Sequence, residues 1–219
     1  MTNPISMLPA GIVTDLAEIS TQLHQQIAEA IPLDPSASSY PDYFSEFVRT
    51  HLSRSPGKVI VLPANTEVAG DLVLNNDAPW NSNGDVTAIV VEGDLTIHGN
   101  LLNLNLNDGP MLFVTGTLQA HNLIKGGSYI LVLGDLQAQG IVVGEYNDGV
   151  IRVGGRIEAQ ATLSIDHDVH ARKGIEGAYH DFEETIWEEA LVPEVMEDEM
   201  PTGLLILEHL KKGRSIFID

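Results

Sequence analysis

VAGDLVL (residues 68–74), VEGDLTI (91–97), VTGTLQA (114–120), VLGDLQA (132–138) and VGGRIEA (153–159) repeat one phrase: an aliphatic run, a glycine, a polar residue, then renewed alternation. Their glycines, Gly70, Gly93, Gly116, Gly134 and Gly155, stand 23, 23, 18 and 21 residues apart. A period near 20 residues built from strand-like pieces marks a solenoid, whose units bury their apolar sides only by stacking. Alternation sends every second side chain inward. The inward set is Val68, Leu72 and Leu74; Val91, Leu95 and Ile97; Val114, Leu118 and Ala120; Val132, Leu136 and Ala138; Val153, Ile157 and Ala159. The glycine steps between them supply φ > 0 or room for a close backbone. The predicted fold is mainly β: a single-stranded right-handed parallel β-helix, or β-solenoid, of about five coils with α-helical segments at both ends. The hand follows from strand twist and the crossover rule.

Outside the repeats the periodicity changes. Residues 1–57 read as a helical N-terminal segment or cap, 58–173 as the β-helix repeat region, and 174–219 as an acidic C-terminal helical segment. Leu16, Ile19, Leu23, Ile27 and Ile31 recur at helical steps, with Thr14 as N-cap and Asp15 and Glu18 in the first turn. Phe44, Phe47, Val48 and Leu52 form the buried face of a second helix. Residues 178–191 read as a helix with Phe182, Ile186, Trp187 and Ala190 on its apolar side. Residues 204–210 form a helix or strand, and SIFID (215–219) a final short strand. Helices at both ends would cover the end coils, which otherwise expose unpaired strand edges. Two insertions interrupt the repeats. NNDAPWNSNGD (75–85) is loop chemistry. LNLNLND (102–108) predicts a strand with Asn103, Asn105 and Asn107 on one solvated face.

Composition narrows the partners. Among 219 residues, 31 are acidic and 11 basic, for a net charge of −20. Such a chain repels nucleic-acid phosphate and anionic membrane and draws basic proteins. Neither nucleic acid nor membrane is an expected partner. There is no cysteine, which excludes disulfides, thiolate metal sites and cysteine nucleophiles. Residues 1–16 lack a basic region and a long apolar run, and no stretch approaches the roughly 20 apolar residues of a membrane helix. Cytoplasmic residence is expected.

Three groups carry candidate chemistry. In IDHDVH (165–170) a strand would set Asp166, Asp168 and His170 on one side and His167 opposite. That trio could bind a divalent metal, or its carboxylates could work as general acid and base. Glu145 and Tyr146, next to the Asn-Asp-Gly turn at 147–149, form a candidate recognition loop. Residues 174–200 contain ten carboxylates and no Lys or Arg. Glu183, Glu184, Glu188 and Glu189 are their partner-binding core. HExxH, nucleophile-elbow, Walker A and Rossmann motifs are absent, so no cofactor is expected.

The GDLxA-type steps, NLIKGG (122–127), VVGEYNDG (142–149) and IRVGG (151–155) together resemble the bacterial β-helical proteins called polymer-forming or bactofilin-like. The resemblance spans about residues 90–169. It implies a regular right-handed β-helix that joins end to end into filaments. This chain departs from that pattern in its unequal coils, helical ends and long insertions. The chain also resembles small acidic β-solenoid proteins of the immunity type, which neutralise bacterial toxins. The function expected is therefore non-catalytic: a bacterial β-helix protein that binds and neutralises a basic partner such as a toxin. The alternatives are a self-assembling bactofilin-like scaffold, which would be a homo-oligomer, and a carbohydrate-active enzyme using Asp166, Asp168 and His170.

Overall fold

A computed structural model describes residues 8–9, 11–15, 22, 25–26, 57–81 and 83–218. After an initial strand β1 (Ile12–Asp15), the chain climbs in levels of three strands. The first is β2 (Lys58–Leu62), β3 (Thr66–Val68) and β4 (Leu72–Val73); the second is β5 (Val86–Val91), β6 (Leu95–Ile97) and β7 (Leu101–Asn103). The third is β8 (Met111–Val114), β9 (Leu118–Ala120) and β10 (Leu123–Lys125); the fourth is β11 (Tyr129–Val132), β12 (Leu136–Ala138) and β13 (Ile141–Glu145). Above these four turns the second and third sides fuse. The fifth level is β14 (Val150–Val153) and β15 (Ile157–Ile165), and the last is β16 (Asp168–Ala171) and β17 (Ile175–Asp181). Each strand pairs in parallel with its counterpart one level away, which is the β-solenoid expected from the repeats. Within the two large sheets, β1 alone among the described strands is antiparallel, laid on the outer edge of β2.

The inward set forms one core cluster of stacked aliphatic columns, with only Ala159 left half-buried. The three sides differ in what covers them, and their sequences record it. First-side strands β5, β8 and β11 are apolar almost throughout, Thr87 being the exception, because their outward Ala88, Val90, Met111, Phe113 and Leu131 are buried too. Second-side strands β9 and β12 both read LQA, with the glutamine turned outward. On the third side the outward Leu102, Ile124, Val143 and Leu163 are covered by the C-terminal segment.

The corners explain the repeated glycines. At four of them an Asp or Asn oxygen accepts the backbone N–H of the residue after a glycine one level above: Asp71 from Asn100 (2.8 Å), Asp94 from Thr117 (2.7 Å), Asn122 from Ile141 (2.9 Å) and Asp135 from Arg156 (2.9 Å). The glycines concerned are Gly99, Gly116, Gly140 and Gly155. A Cβ at any of them would overlap the accepting oxygen. Close approach, rather than φ > 0, is therefore the requirement at Gly116, Gly134 and Gly155; of the five repeat glycines, only Gly93 has positive φ (+125°).

The same pairing corrects the first copy of the phrase. Val91 lies opposite Leu62, whereas Val68 lies opposite Ile97 and Leu72 opposite Leu101. VAGDLVL thus forms the second corner of its level, while the other four copies form the first. Along the first-side column Leu62, Val91, Val114, Val132, Val153 and Ala171 the true steps are 29, 23, 18, 21 and 18 residues.

Other expectations also change. Residues 178–191 are not one helix: β17 occupies the beginning and pairs with β15, so the solenoid runs to Asp181 rather than ending at 173. Within residues 178–218, α-helix is confined to α1 (Trp187–Ala190) and α2 (Gly203–Lys211), the latter capped by Thr202, whose Oγ accepts from Leu205 N–H. A hairpin of β18 (Met196–Glu197) and β19 (Met200–Pro201) lies between them, and SIFID contributes one bridge, Phe217 to Leu191. Thr14 and Asp15 lie in β1, not at a helix start. Gln22, Gln25 and Gln26 are helical, and the remaining N-terminal helical expectations fall outside the described residues. Beyond Asn103 the LNLNLND stretch leaves the sheet. Asn103 is fully buried and joins the two insertions, donating to Leu74 O, Asn75 Oδ1 and Asp108 O while accepting from Ser128 N–H. Among the described residues no helix is long and apolar enough to cross a membrane.

Candidate functional site

The aliphatic columns have to end somewhere, and they end in the open. The last level continues them with Val169, Ala171, Ile175 and Tyr179, which stand over Ile151, Val153, Ile157 and Thr162. The first three are only half-buried, and Tyr179 is 45% exposed. β16 and β17 each have a strand on one side only among the described residues. At the opposite end of the seven-stranded sheet, β1 supplies the closing strand.

The C-terminal segment does not cover this open end. It runs along the third side, where Trp187, Leu191, Val195, Ile206, Leu207 and Ile216 pack on Leu102, Ile124, Val143 and Leu163. His180 lies against Phe217 (5.8 Å between ring centroids) and Trp187 (6.4 Å), which anchors the segment beside β17. Glu145 fastens it lower down, accepting Gly203 N–H at the start of α2 (2.8 Å). Burial, the main influence, pushes that carboxyl above its ordinary pKa. The expected recognition residue Glu145 is thus turned to the protein's own helix. Tyr146, in the left-handed region (φ 67°), remains 42% exposed.

Because the segment leaves sideways, the turn joining β17 to α1 stands out at the open end. It exposes Phe182 (45%) and Ile186 (60%). Glu183, Glu184, Glu188 and Glu189 surround them, all exposed. The sequence placed Phe182 and Ile186 on a buried helix face; the structure puts both in solvent, with Trp187 alone of that set fully buried.

The trio at 166–170 does not assemble. Asp166 is in the turn before β16, in the left-handed region (φ 48°), and accepts from Asn147 Nδ2. Asp168 is on β16 and is held in a two-pronged ion pair by Arg152. His170 shares the outward face of Asp168, and His167 is turned the other way, into the protein. Among the described residues no three His, Asp or Glu side chains are arranged to hold a metal ion.

His167 instead meets Lys125, a pair not singled out in the sequence. Lys125 follows Leu123 by two residues, so alternation turns it into the core, where it is 1% exposed. His167 Nδ1 donates to Tyr146 O, leaving Nε2 to accept from Lys125 Nζ at 2.9 Å. Gly144 has no Cβ because the imidazole fills that space. Burial pushes the ammonium well below its ordinary pKa. Burial first, and the Lys125 charge second, push His167 down to about 4. The pair is enclosed, which makes it a structural feature without access for substrate.

Among the described residues, two open grooves are lined by the outward amides. One, of about 490 Å³, lies between the Asp71–Asn100–Asn122 corner ladder and the end of α2, with Lys211 and Arg214 on its rim. The other follows the outward second side, where Gln119 donates to Gln137 (2.9 Å) and Gln137 to Glu158 (3.0 Å). In both grooves many of the amides hydrogen-bond to one another. No protein-family model matches the chain, and neither does any curated protein or solved structure.

Proposed function

We propose that this protein is a non-catalytic binding module that captures a basic protein at the open end of its solenoid, with neutralisation of a basic toxin as the specific form of the activity and the cytoplasm as its setting. One observation carries this: Tyr179, Phe182 and Ile186 are exposed together among Glu183, Glu184, Glu188 and Glu189, beside a strand edge with no neighbour among the described residues. Exposed apolar side chains rimmed by charge are the usual composition of a docking patch. The surrounding carboxylates favour cationic partners and disfavour acidic ones. An enzyme reading finds no catalytic pair to rest on, since Asp166 lies in a turn and Asp168 is held by Arg152.

The test measures binding of a panel of small basic and small acidic proteins by calorimetry. Basic proteins should bind with affinity that falls as salt rises. Charge reversal by Glu183→Lys, Glu184→Lys, Glu188→Lys and Glu189→Lys together should weaken them by roughly tenfold or more. Equal binding of both classes, or indifference to the reversal, would refute the reading.

The open end also favours a second reading, a self-assembling scaffold. Head-to-tail stacking is opposed by β1, which covers the other edge of the seven-stranded sheet, and by the repulsion of two chains of net charge −20. Mass growth with concentration in light scattering would support the scaffold, and a constant small mass would remove it.

A further inference from the structure

We infer that the partner binds by strand addition: an extended basic segment pairs with the free edge of β17 and completes the solenoid by one more level. This rests on the docking reading and specifies its geometry.

Three observations lead there. First, β17 is seven residues long, has no proline and no lysine, and is paired by β15 along one of its sides only. What guards it is a register shift against β15 and the acidic side chains of Glu176 and Asp181, which deter another acidic edge and admit a basic one. Its backbone groups on the other side meet no strand among the described residues. Second, the molecule already uses strand addition at one edge of its other sheet, where β1 is added to β2. Third, the two inward columns on the third side end on different chemistry. One runs Leu72, Leu101, Leu123, Val142, Thr162 and finishes on Tyr179. The other runs Asn103, Lys125, Gly144, Ser164 and finishes on the Asp181 carboxylate.

An added strand continues both columns. The residue beside Tyr179 covers the exposed ring and is apolar. The residue beside Asp181, two positions along the same face, meets a carboxylate and is lysine or arginine. This holds in either strand direction, because cross-strand neighbours pair one to one. Once bound, the strand has its Asp181 end next to the carboxylates at 183 and 184, which directly follow β17.

The probe is an N-acetylated seven-residue peptide with threonine on one face and valine, lysine, valine on the other. Two twins carry N-methyl groups on one or the other set of alternate amides. These keep charge and side chains but remove pairing along one edge. The parent peptide should bind the full chain and slow amide exchange within residues 175–181. One twin should lose roughly tenfold or more in affinity, as expected when several hydrogen bonds are blocked. Tyr179→Lys should weaken the parent by a similar factor. If both twins bind like the parent, or the parent does not bind, strand addition is overturned. In that case sensitivity of basic proteins to the four glutamate reversals still decides the docking reading separately. Protection of residues 175–181 that grows with the concentration of the chain alone would assign the edge to a second copy and also overturn the proposal.

Discussion

Acidification should act on one buried imidazole out of proportion to its size. His167 is 8% exposed, and its imidazole is held at about 4 rather than 6.5. The unfolded chain therefore takes up a proton near pH 6.5, while the folded chain resists until about pH 4. Below pH 6.5 the unfolded state binds more protons, so stability falls as pH falls, and His167 destabilises the fold progressively down to about pH 4. A depression of this size is worth about 3 kcal/mol by pH 4, at 1.36 kcal/mol per unit. In a chain of this length that is roughly 10 °C in Tm. The carboxylates also titrate in this window, and the raised Glu145 works in the opposite sense, so the wild-type curve alone does not isolate the effect. His167→Gln does: its amide can donate to Tyr146 O and accept from Lys125 without titrating. The measurement is urea unfolding of both proteins from pH 7 to pH 4. The variant starts less stable at pH 7, because the imidazole fills the space over Gly144. The gap should shrink by about 3 kcal/mol by pH 4 and can change sign. A gap constant to within about 0.5 kcal/mol would refute the buried, neutral imidazole.

Three further outcomes follow from the same contacts. Lys125→Met removes the charge beside His167, so an NMR titration should find the imidazole pKa above about 4. An unchanged value would show that Lys125 is already neutral. Gly155→Ala should cost about 2–4 kcal/mol, since its Cβ would overlap Asp135 Oδ1 and lie 2.6 Å from Gly134 O; adding Asp135→Ala should cost less than the sum of the two single changes. Additive costs in urea unfolding would refute the corner account. Glu145→Gln should leave stability at pH 7 unchanged or raised by up to about 1 kcal/mol, because the amide still accepts Gly203 N–H without the burial of a charge. A loss above about 1 kcal/mol would show that the carboxylate charge itself holds α2 in place.

The solenoid was legible because the levels meet the same geometric demand with the same residue types: aliphatics at most inward positions and a glycine at the corners. That uniformity also hid the register of the first copy. Gly70-Asp71 and Gly93-Asp94 look alike since each aspartate accepts an N–H from the level above, although they turn different corners. The 75–85 insertion lengthens the first turn to 29 residues, so a false spacing of 23 matched the next one. The helix expected at 178–191 failed for another reason. Its helical spacing is local, whereas pairing with β15 is a tertiary gain that the spacing does not register. Lys125 had a signal that was passed over: a lone charge at an inward position of an apolar strand. His167 was placed opposite its neighbours, as found. Its meeting with Lys125, 42 residues away, depends on how many residues each turn contains.

The two ends of the solenoid then suggest why charge and topology belong together. A stack of parallel strands has a free edge at each end, and a free edge accepts any strand that fits. Here the lower edge of the seven-stranded sheet is occupied by the chain's own β1, and the upper edge of the other sheet is left with Tyr179 and Asp181 as the last members of its columns. Backbone pairing alone would not discriminate between a partner and another copy. Charge does, but only at short range, because the Debye length is about 8 Å at physiological salt. Carboxylates at positions 176, 181, 183 and 184 lie on or next to the edge itself, close enough to escape that screening. A second copy brings matching carboxylates to the same place, whereas a basic strand brings their complement. The edge supplies adhesion and the acidic residues beside it supply the choice of partner, so reversing their charge should convert the chain from a binder of basic segments into one that recruits acidic chains, its own wild-type form included. Mixing reversed and wild-type proteins tests this directly: a 1:1 complex, by light scattering, is the expected result, and two species that ignore each other would show that the edge is not where selection occurs.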